Sequence, residues 1–201
     1  MSELQYPSVR RLINASDDEI EQCTSVLCDA FDGDPFTSIL LGGDVSLQPQ
    51  EIRANVCAAL IGPGQVHILE IGNEVSDIVG VAIWYPPGAR AFASEEERAA
   101  GWDQFLAEIP LSLRSWWLDY FVPTISGLSG KALGPTYLLN SWHLHLFGVL
   151  KAHQGKKYGR ILFEFAQRQA KTTKSPIVVE TTTEVDVSLH HFSRNLQAPW
   201  I

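Results

Sequence analysis

The sequence predicts an α/β or α+β fold in one domain: a mixed central sheet flanked by helices, with a helical insertion at 89–135 between the third and fourth strands. Three observations lead there. The runs QVHILEIG (65–72) and SDIVGVAIWY (76–85) flank a turn at Gly72-Asn73-Glu74 and read as an antiparallel hairpin. A strand-like SWHLHLFGVL (141–150), a helix-like stretch from Tyr158 to Lys174 and a strand-like PIVVETT (176–182) read as a strand–helix–strand crossover, which pairs its strands in parallel. A length of 201 residues, with 45% hydrophobic and 19% charged, suits one large globular domain with a substantial core.

The elements follow in order. Val9–Ile13 reads as a first strand. Ser16 with Glu19 forms a capping-box pattern, and Ile20, Cys23, Leu27, Ala30 and Phe31 then recur at helical spacing. A second helix runs from about Gln48 to Ile61 and stops at Gly62-Pro63-Gly64. The hairpin follows and ends at Pro86-Pro87-Gly88. In the insertion, Ser94 and Glu97 repeat the capping pattern, and Ala99, Trp102, Phe105, Leu106 and Ile109 share a helical face. After Pro110 a second face holds Leu113, Trp116, Trp117, Tyr120 and Phe121, with Pro123 expected to close it and ISGLSGKALGP (125–135) expected to be a mobile glycine-rich loop. The three insertion tryptophans are either helix–helix core or the wall of an acceptor pocket. The last helix carries Ile161, Leu162, Phe165, Ala166 and Gln169 along one stripe.

Charge and cysteine usage narrow the function classes. The formal net charge is -8, which disfavours a nucleic-acid binder, because a phosphate backbone needs a broad basic face. The charge is uneven, however: residues 151–174 hold seven cations and one acid, so one basic patch on an acidic body suggests a local anionic ligand. Cys23, Cys28 and Cys57 are odd in number and lack CxxC spacing, which argues against a disulfide framework or a zinc site; no metal is expected. The N-terminus lacks the apolar core of a secretory signal and no run of about 18 apolar residues occurs, so no membrane partner and a cytoplasmic location are expected.

The basic patch begins at HQGKKYGRIL (153–162), between a strand and the start of a helix. Helix N-termini expose unpaired N–H groups and the positive end of the dipole, and glycines let backbone approach an anion. Neither GxxxxGK[ST] nor GxGxxG is present, so a phosphate cradle and a solvated glycine turn both fit these residues.

The run VLKAHQGKKYG (149–159) resembles the coenzyme A-binding motif of the GNAT superfamily of N-acyltransferases, in which a strand ending in Val-x-Pro leads into Q/R-x-x-G-x-G/A at a helix start. The order of strands and helices from about residue 8 to 182 is similar as well. The resemblance implies a GNAT-like domain spanning 1–201 that binds acetyl-CoA as acyl donor, with Gln154, Gly155, Lys156, Lys157, Tyr158 and Gly159 forming the pyrophosphate loop and Arg160 following in the helix. It implies that Phe147, Gly148 and Val149 present backbone to the pantetheine arm where the family strand is bulged, a place that Gly148 suits.

This chain departs from the motif at Lys157, where the family has a glycine, and at Lys151, where it has a proline. After Glu180 the segment TTTEVDVSLHHFSRNLQAPWI leaves too few residues for the family's last two strands, and His190 lies roughly where a tyrosine often protonates the departing thiolate. His143 and His145 alternate with leucines and share a strand face, so either is a candidate base or a cross-strand hydrogen-bonded histidine. Glu180, on the neighbouring strand, is a candidate to hold a water or an amine. The expected activity is acetyl transfer to an amine, with a small-molecule acceptor, by direct attack on the thioester. The alternative is a catalytically defective coenzyme A-binding protein with a sensing or partner-binding role. Oligomeric state is not legible.

Overall fold

The computed structural model describes residues 7–72 and 77–181. Five strands form one sheet in the order β1 (Ser8–Arg11), β2 (Gln65–Ile71), β3 (Asp77–Tyr85), β4 (Trp142–Val149), β5 (Ile177–Val179). The first four pair antiparallel and β4 pairs β5 in parallel, so the sheet is mixed as the hairpin and crossover patterns predict. Asn73 and Glu74 of the predicted turn lie outside the described residues, as do Thr182 and everything after it, including His190.

Helix α1 (Asp17–Phe31) begins with the capping box that the sequence shows: the Glu19 N–H donates to Ser16 Oγ at 3.2 Å and the Ser16 N–H to Glu19 Oε2 at 2.8 Å. A short α2 (Pro35–Leu40), absent from the sequence reading, is set by Asp34, whose carboxylate accepts from the Thr37 N–H, and by Pro35 in the first turn. Helix α3 (Gln48–Ile61) and α1 cover one face of the sheet, packing Cys23, Val26, Leu27, Ile52 and Val56 against Val66, Ile68, Val81 and Ile83. The other face is covered by the long helix that follows β4, which buries Leu162, Phe163, Ala166 and Ala170 against Leu69, Ala82, Trp84 and Leu144.

The insertion runs through α4 (Glu95–Glu97), a π-helical turn (Arg98–Trp102), α5 (Asp103–Glu108), α6 (Leu111–Ser115), a second π-helical turn (Trp116–Phe121) and α7 (Val122–Leu133). Two expectations fail here. Residues 125–133 are helical rather than a loop, because Pro123 sits in the first turn of α7, where its missing N–H has no role, and the helix runs on until Gly134 at φ 104°. Tyr120 does not share the buried face: it is 61% exposed, since the wide π turn adds a residue per turn and rotates it outward. Trp102 and Trp117 are buried with Leu41, Ala54, Phe105 and Ile109 in a third core, and the Trp117 indole donates to the Leu40 carbonyl at 2.9 Å. These tryptophans are core and fasten the insertion to α2 and α3. Among the described residues no helix is long and apolar enough to cross a membrane.

Candidate functional site

Strand β4 carries the site, and its register explains how. The pairing with β3 passes from Ile83–Leu146 to Trp84–Leu144, leaving His145 as a bulged extra residue. The bulge was expected at Gly148; it lies three positions earlier. It also breaks the strict alternation on which the sequence reading relied. Leu144 faces the core beneath the last helix, His145 and Leu146 both face α1 and α3, and Phe147 returns to the other side. Gly148 has a packing role: a Cβ there would stand 2.7 Å from Ala30 Cβ and 3.1 Å from Leu27 Cδ2, so α1 crosses β4 where only glycine fits.

Strand β5 pairs with β4 only at Trp142, His143 and Leu144. From His145 to Val149 the β5 side of β4 pairs with no strand among the described residues, so its polar backbone groups form a strand edge there. At the far end of that edge a 3-10 turn (Lys151–His153) leads into α8 (Tyr158–Thr173). The Gln154 side-chain amide donates to the Val149 carbonyl at 3.1 Å and ties the loop to the strand end. Lys151, at the family's proline position, ties the loop to α1: its N–H donates to Asp29 Oδ2 and its ammonium to Asp32 Oδ2 at 2.7 Å, which holds the Asp32 carboxyl below its usual range.

Gly155 at φ 75° and Lys157 at φ 66° are both left-handed, and Lys157 is the N-cap of α8. The lysine therefore adopts the backbone that the motif's glycine would supply. Among the described residues no side chain caps the helix start, so the Tyr158, Gly159 and Arg160 amides at the dipole's positive end can receive an anion. A Cβ on Gly159 would lie 3.4 Å from the Phe147 ring, in ordinary contact, so this glycine is not demanded by the protein's own packing. Lys156 and Lys157 are exposed and have no ion pair among the described residues. Arg160, by contrast, pairs with Glu164 at 2.7 Å, and Tyr158 stacks on His153.

The second half of the site lies at the other end of β4. The His143 and His145 rings are 6.1 Å apart, and His143 Nε2 is 3.6 Å from Glu180 Oε2 just past β5. His145 Nε2 is 2.7 Å from Asn55 Oδ1 on α3, and the Asn55 amide nitrogen reaches the Glu51 carbonyl at 2.9 Å and Glu51 Oε1 at 2.7 Å. Burial, with the neighbouring His143, pushes His145 down to about 3, and burial pushes the Glu51 carboxyl up to about 7 against the partial relief of its bond to Asn55. The Tyr85 ring meets His145 edge-on at 5.4 Å, and its buried hydroxyl has no partner among the described residues.

Two centres thus share one strand: an amide-lined turn beyond its C-terminal end and a histidine–carboxylate cluster at its N-terminal half, with a strand edge between them that pairs with no described residue. Known structures share the fold that carries these two centres. An acetyltransferase of Corynebacterium glutamicum, called histone acetyltransferase HPA2 and related acetyltransferase, superposes with a TM-score of 0.60 at 16% identity, over 93% of this chain and 83% of that one. The mosquito arylalkylamine N-acetyltransferase like 5b gives 0.62 at 17%, over 94% and 82%. The chain has the GNAT fold. A third GNAT-fold structure, the aminoglycoside N-acetyltransferase AAC(6')-Iy in complex with CoA, gives 0.50 at 9% identity, over 100% and 95%. No family model and no curated protein matches the sequence.

The sequence-predicted residues are spread unequally over the two centres. Gln154 to Gly159 form one turn with Phe147 and Val149 behind it, and His143, His145 and Glu180 meet at the other centre. Arg160 is turned to Glu164, Gly148 to α1, and His190 lies outside the described residues. Glu51, Asn55 and Tyr85 were missed. The available signal was the pair Glu51 and Asn55, one helical turn apart on a helix whose neighbours Ile52, Val56 and Ala59 are core.

Proposed function

We propose that this protein transfers the acetyl group of acetyl-CoA to the amine of a small molecule. The observation that supports this best is the edge of β4, unpaired among the described residues, which runs from the His143–His145 centre to the turn of α8 that no described side chain caps, with Lys156 and Lys157 beside it. Such an edge offers N–H and C=O groups to an extended pantetheine arm, and the turn offers amides to a pyrophosphate. The names of the three structural neighbours, all acetyltransferases, support the same class. The depth of the histidine cluster favours a small amine, because His143 and Glu180 are 19% and 24% exposed.

In this reading His143 takes the proton of the acceptor amine, and Glu180 stabilises the resulting imidazolium. The acceptor attacks the thioester carbon as the free amine, the C–N bond forms as the nitrogen's surplus proton passes to His143, and the tetrahedral intermediate collapses with cleavage of the C–S bond and loss of the CoA thiolate. The proton for that sulfur is assigned to His190. His145, held neutral, is the weaker base of the two histidines.

Titration calorimetry with coenzyme A and thiol release across an amine panel test the proposal. The wild type binds coenzyme A and releases thiol only with an amine present. Lys156→Glu with Lys157→Glu weakens binding on the order of tenfold or more, as loss of two phosphate-facing cations implies. Unchanged affinity in that double variant rejects the lysines' role, and binding without turnover on any amine favours a coenzyme A-binding protein without catalysis.

A further inference from the structure

The Glu51–Asn55–His145 chain has a definite polarity. The Glu51 carbonyl can only accept, so the Asn55 side-chain atom 2.9 Å from it is the NH2 group. The same NH2 group reaches Glu51 Oε1 at 2.7 Å. The remaining Asn55 atom, facing His145 Nε2 at 2.7 Å, is therefore the oxygen, and it too can only accept. His145 Nε2 must then carry the hydrogen, and Nδ1 keeps its lone pair. Among the described residues no protein donor occupies that Nδ1.

The cluster is built rather than incidental. Asn55 is 4% exposed and both its polar atoms are bonded. His145 sits on the bulge that turns it toward α3. Tyr85, on the strand next to β4, packs its ring edge against the imidazole and so fixes the ring plane. On the open side stands His143, and beyond it Glu180. An amide cannot pass a proton on as a carboxylate would, so the chain does not relay protons. It sets orientation.

Resting on the acetyl-transfer reading, we infer that Glu51 and Asn55 are positioning residues that lock His145 in its Nε2–H tautomer, so that Nδ1 accepts a hydrogen bond from the acceptor amine and aims its lone pair at the thioester. The amine carries two roles' worth of hydrogens in this arrangement: one is lost to His143, and one is held by His145 Nδ1 while nitrogen attacks carbon. His145 gains and loses no proton, which suits an imidazole that burial keeps neutral.

Ring-nitrogen NMR of the full-length protein tests the lock without any acceptor. The expected result is His145 protonated at Nε2 only, changing to mixed tautomers in Asn55→Leu. In the thiol-release assay Asn55→Leu lowers kcat on the order of ten- to a hundredfold, the scale on which a misoriented group acts, while coenzyme A affinity is unchanged. Asn55→Asp restores an oxygen acceptor but places a carboxylate against the ring, so His145 becomes protonated near neutral pH. Activity of that variant is then low at pH 6 and recovers as pH rises, a profile that simple loss of packing does not produce. Protonation of wild-type His145 at Nδ1, or an Asn55→Leu kcat equal to wild type, overturns the inference. If the wild type itself acetylates no amine, the transfer reading fails, and the NMR result reports on the tautomer lock by itself.

Discussion

Lys157 concentrates the geometry of the turn before α8 in one residue. A left-handed lysine costs roughly 1 kcal/mol relative to glycine, and the helix accepts that cost at its own N-cap. The return is a turn that keeps the glycine-like backbone and adds an ammonium where the family pattern has none. Gly159 shows the complementary economy. Its φ is not left-handed and a methyl there meets the Phe147 ring at 3.4 Å and Val149 Cγ2 at 3.9 Å, both ordinary contacts, so the fold itself permits alanine. Gly159→Ala should raise thermal stability slightly, by up to about 1 kcal/mol from helix propensity. In the acetyl-CoA reading the ligand passes between the end of β4 and the first turn of α8, a gap that a methyl against Phe147 and Val149 narrows, so coenzyme A affinity should fall several-fold. Differential scanning fluorimetry without ligand and calorimetry with coenzyme A separate the two effects; a variant that binds normally would mean that the first turn of α8 is not the pyrophosphate site.

At the scale of elements, β4 shows what sequence patterns reveal and what they hide. The hairpin, α1 with its capping box, α3 and α8 were legible because each repeats one period over many residues and is punctuated by Ser16, Gly62-Pro63-Gly64 or Gly155. The bulge at His145 was not, because one extra residue leaves the hydrophobic alternation intact on paper while turning every later side chain over. Nor was the pairing of His145 with Asn55, which lie 90 positions apart. Helix α7 was hidden by Pro123 and its glycines, whose meaning depends on whether the chain is entering or leaving a helix. The glycine at 148 was noticed for the wrong reason. Because α1 rests directly on it, Gly148→Ala should push Ala30 and Leu27 away and destabilise the protein by about 1–3 kcal/mol. Urea denaturation measures this, and Ala30→Gly in the same chain should recover part of the loss. A Gly148→Ala variant as stable as wild type would contradict the close crossing of α1 and β4.

Over the whole molecule, the buried His67 and the half-buried His145 and Glu51 shape stability with pH, and their signs differ. His67 is fully buried between β2 and α8, with Phe165 edge-on at 4.8 Å, and burial pushes it down to about 4. His145 is pushed down to about 3. Each stays neutral in the folded chain but takes a proton in the unfolded chain below about pH 6.5, so the stability each contributes is present above that value and is lost as pH falls toward its folded pKa. Glu51 works the other way: raised to about 7, it favours folding below about pH 4.5 and gives that stability up as pH rises through 7. Between about pH 4.5 and 6.5 the unfolded chain thus binds two more protons at the histidines and one fewer at Glu51. The net of one proton gives a slope of at most about 1.4 kcal/mol per pH unit, with stability falling toward acid. Stability should therefore peak near pH 6.5, decline slightly toward 7 and level off above it. Glu51→Gln removes the decline above 6.5 and steepens the acid limb toward two protons' worth, whereas His67→Phe flattens that limb. Urea midpoints measured from pH 4.5 to 8 on the three proteins decide this, and a wild-type stability that rises from pH 6.5 toward 4.5 would show that His67 and His145 titrate normally in the fold and leave Glu51 alone to set the slope.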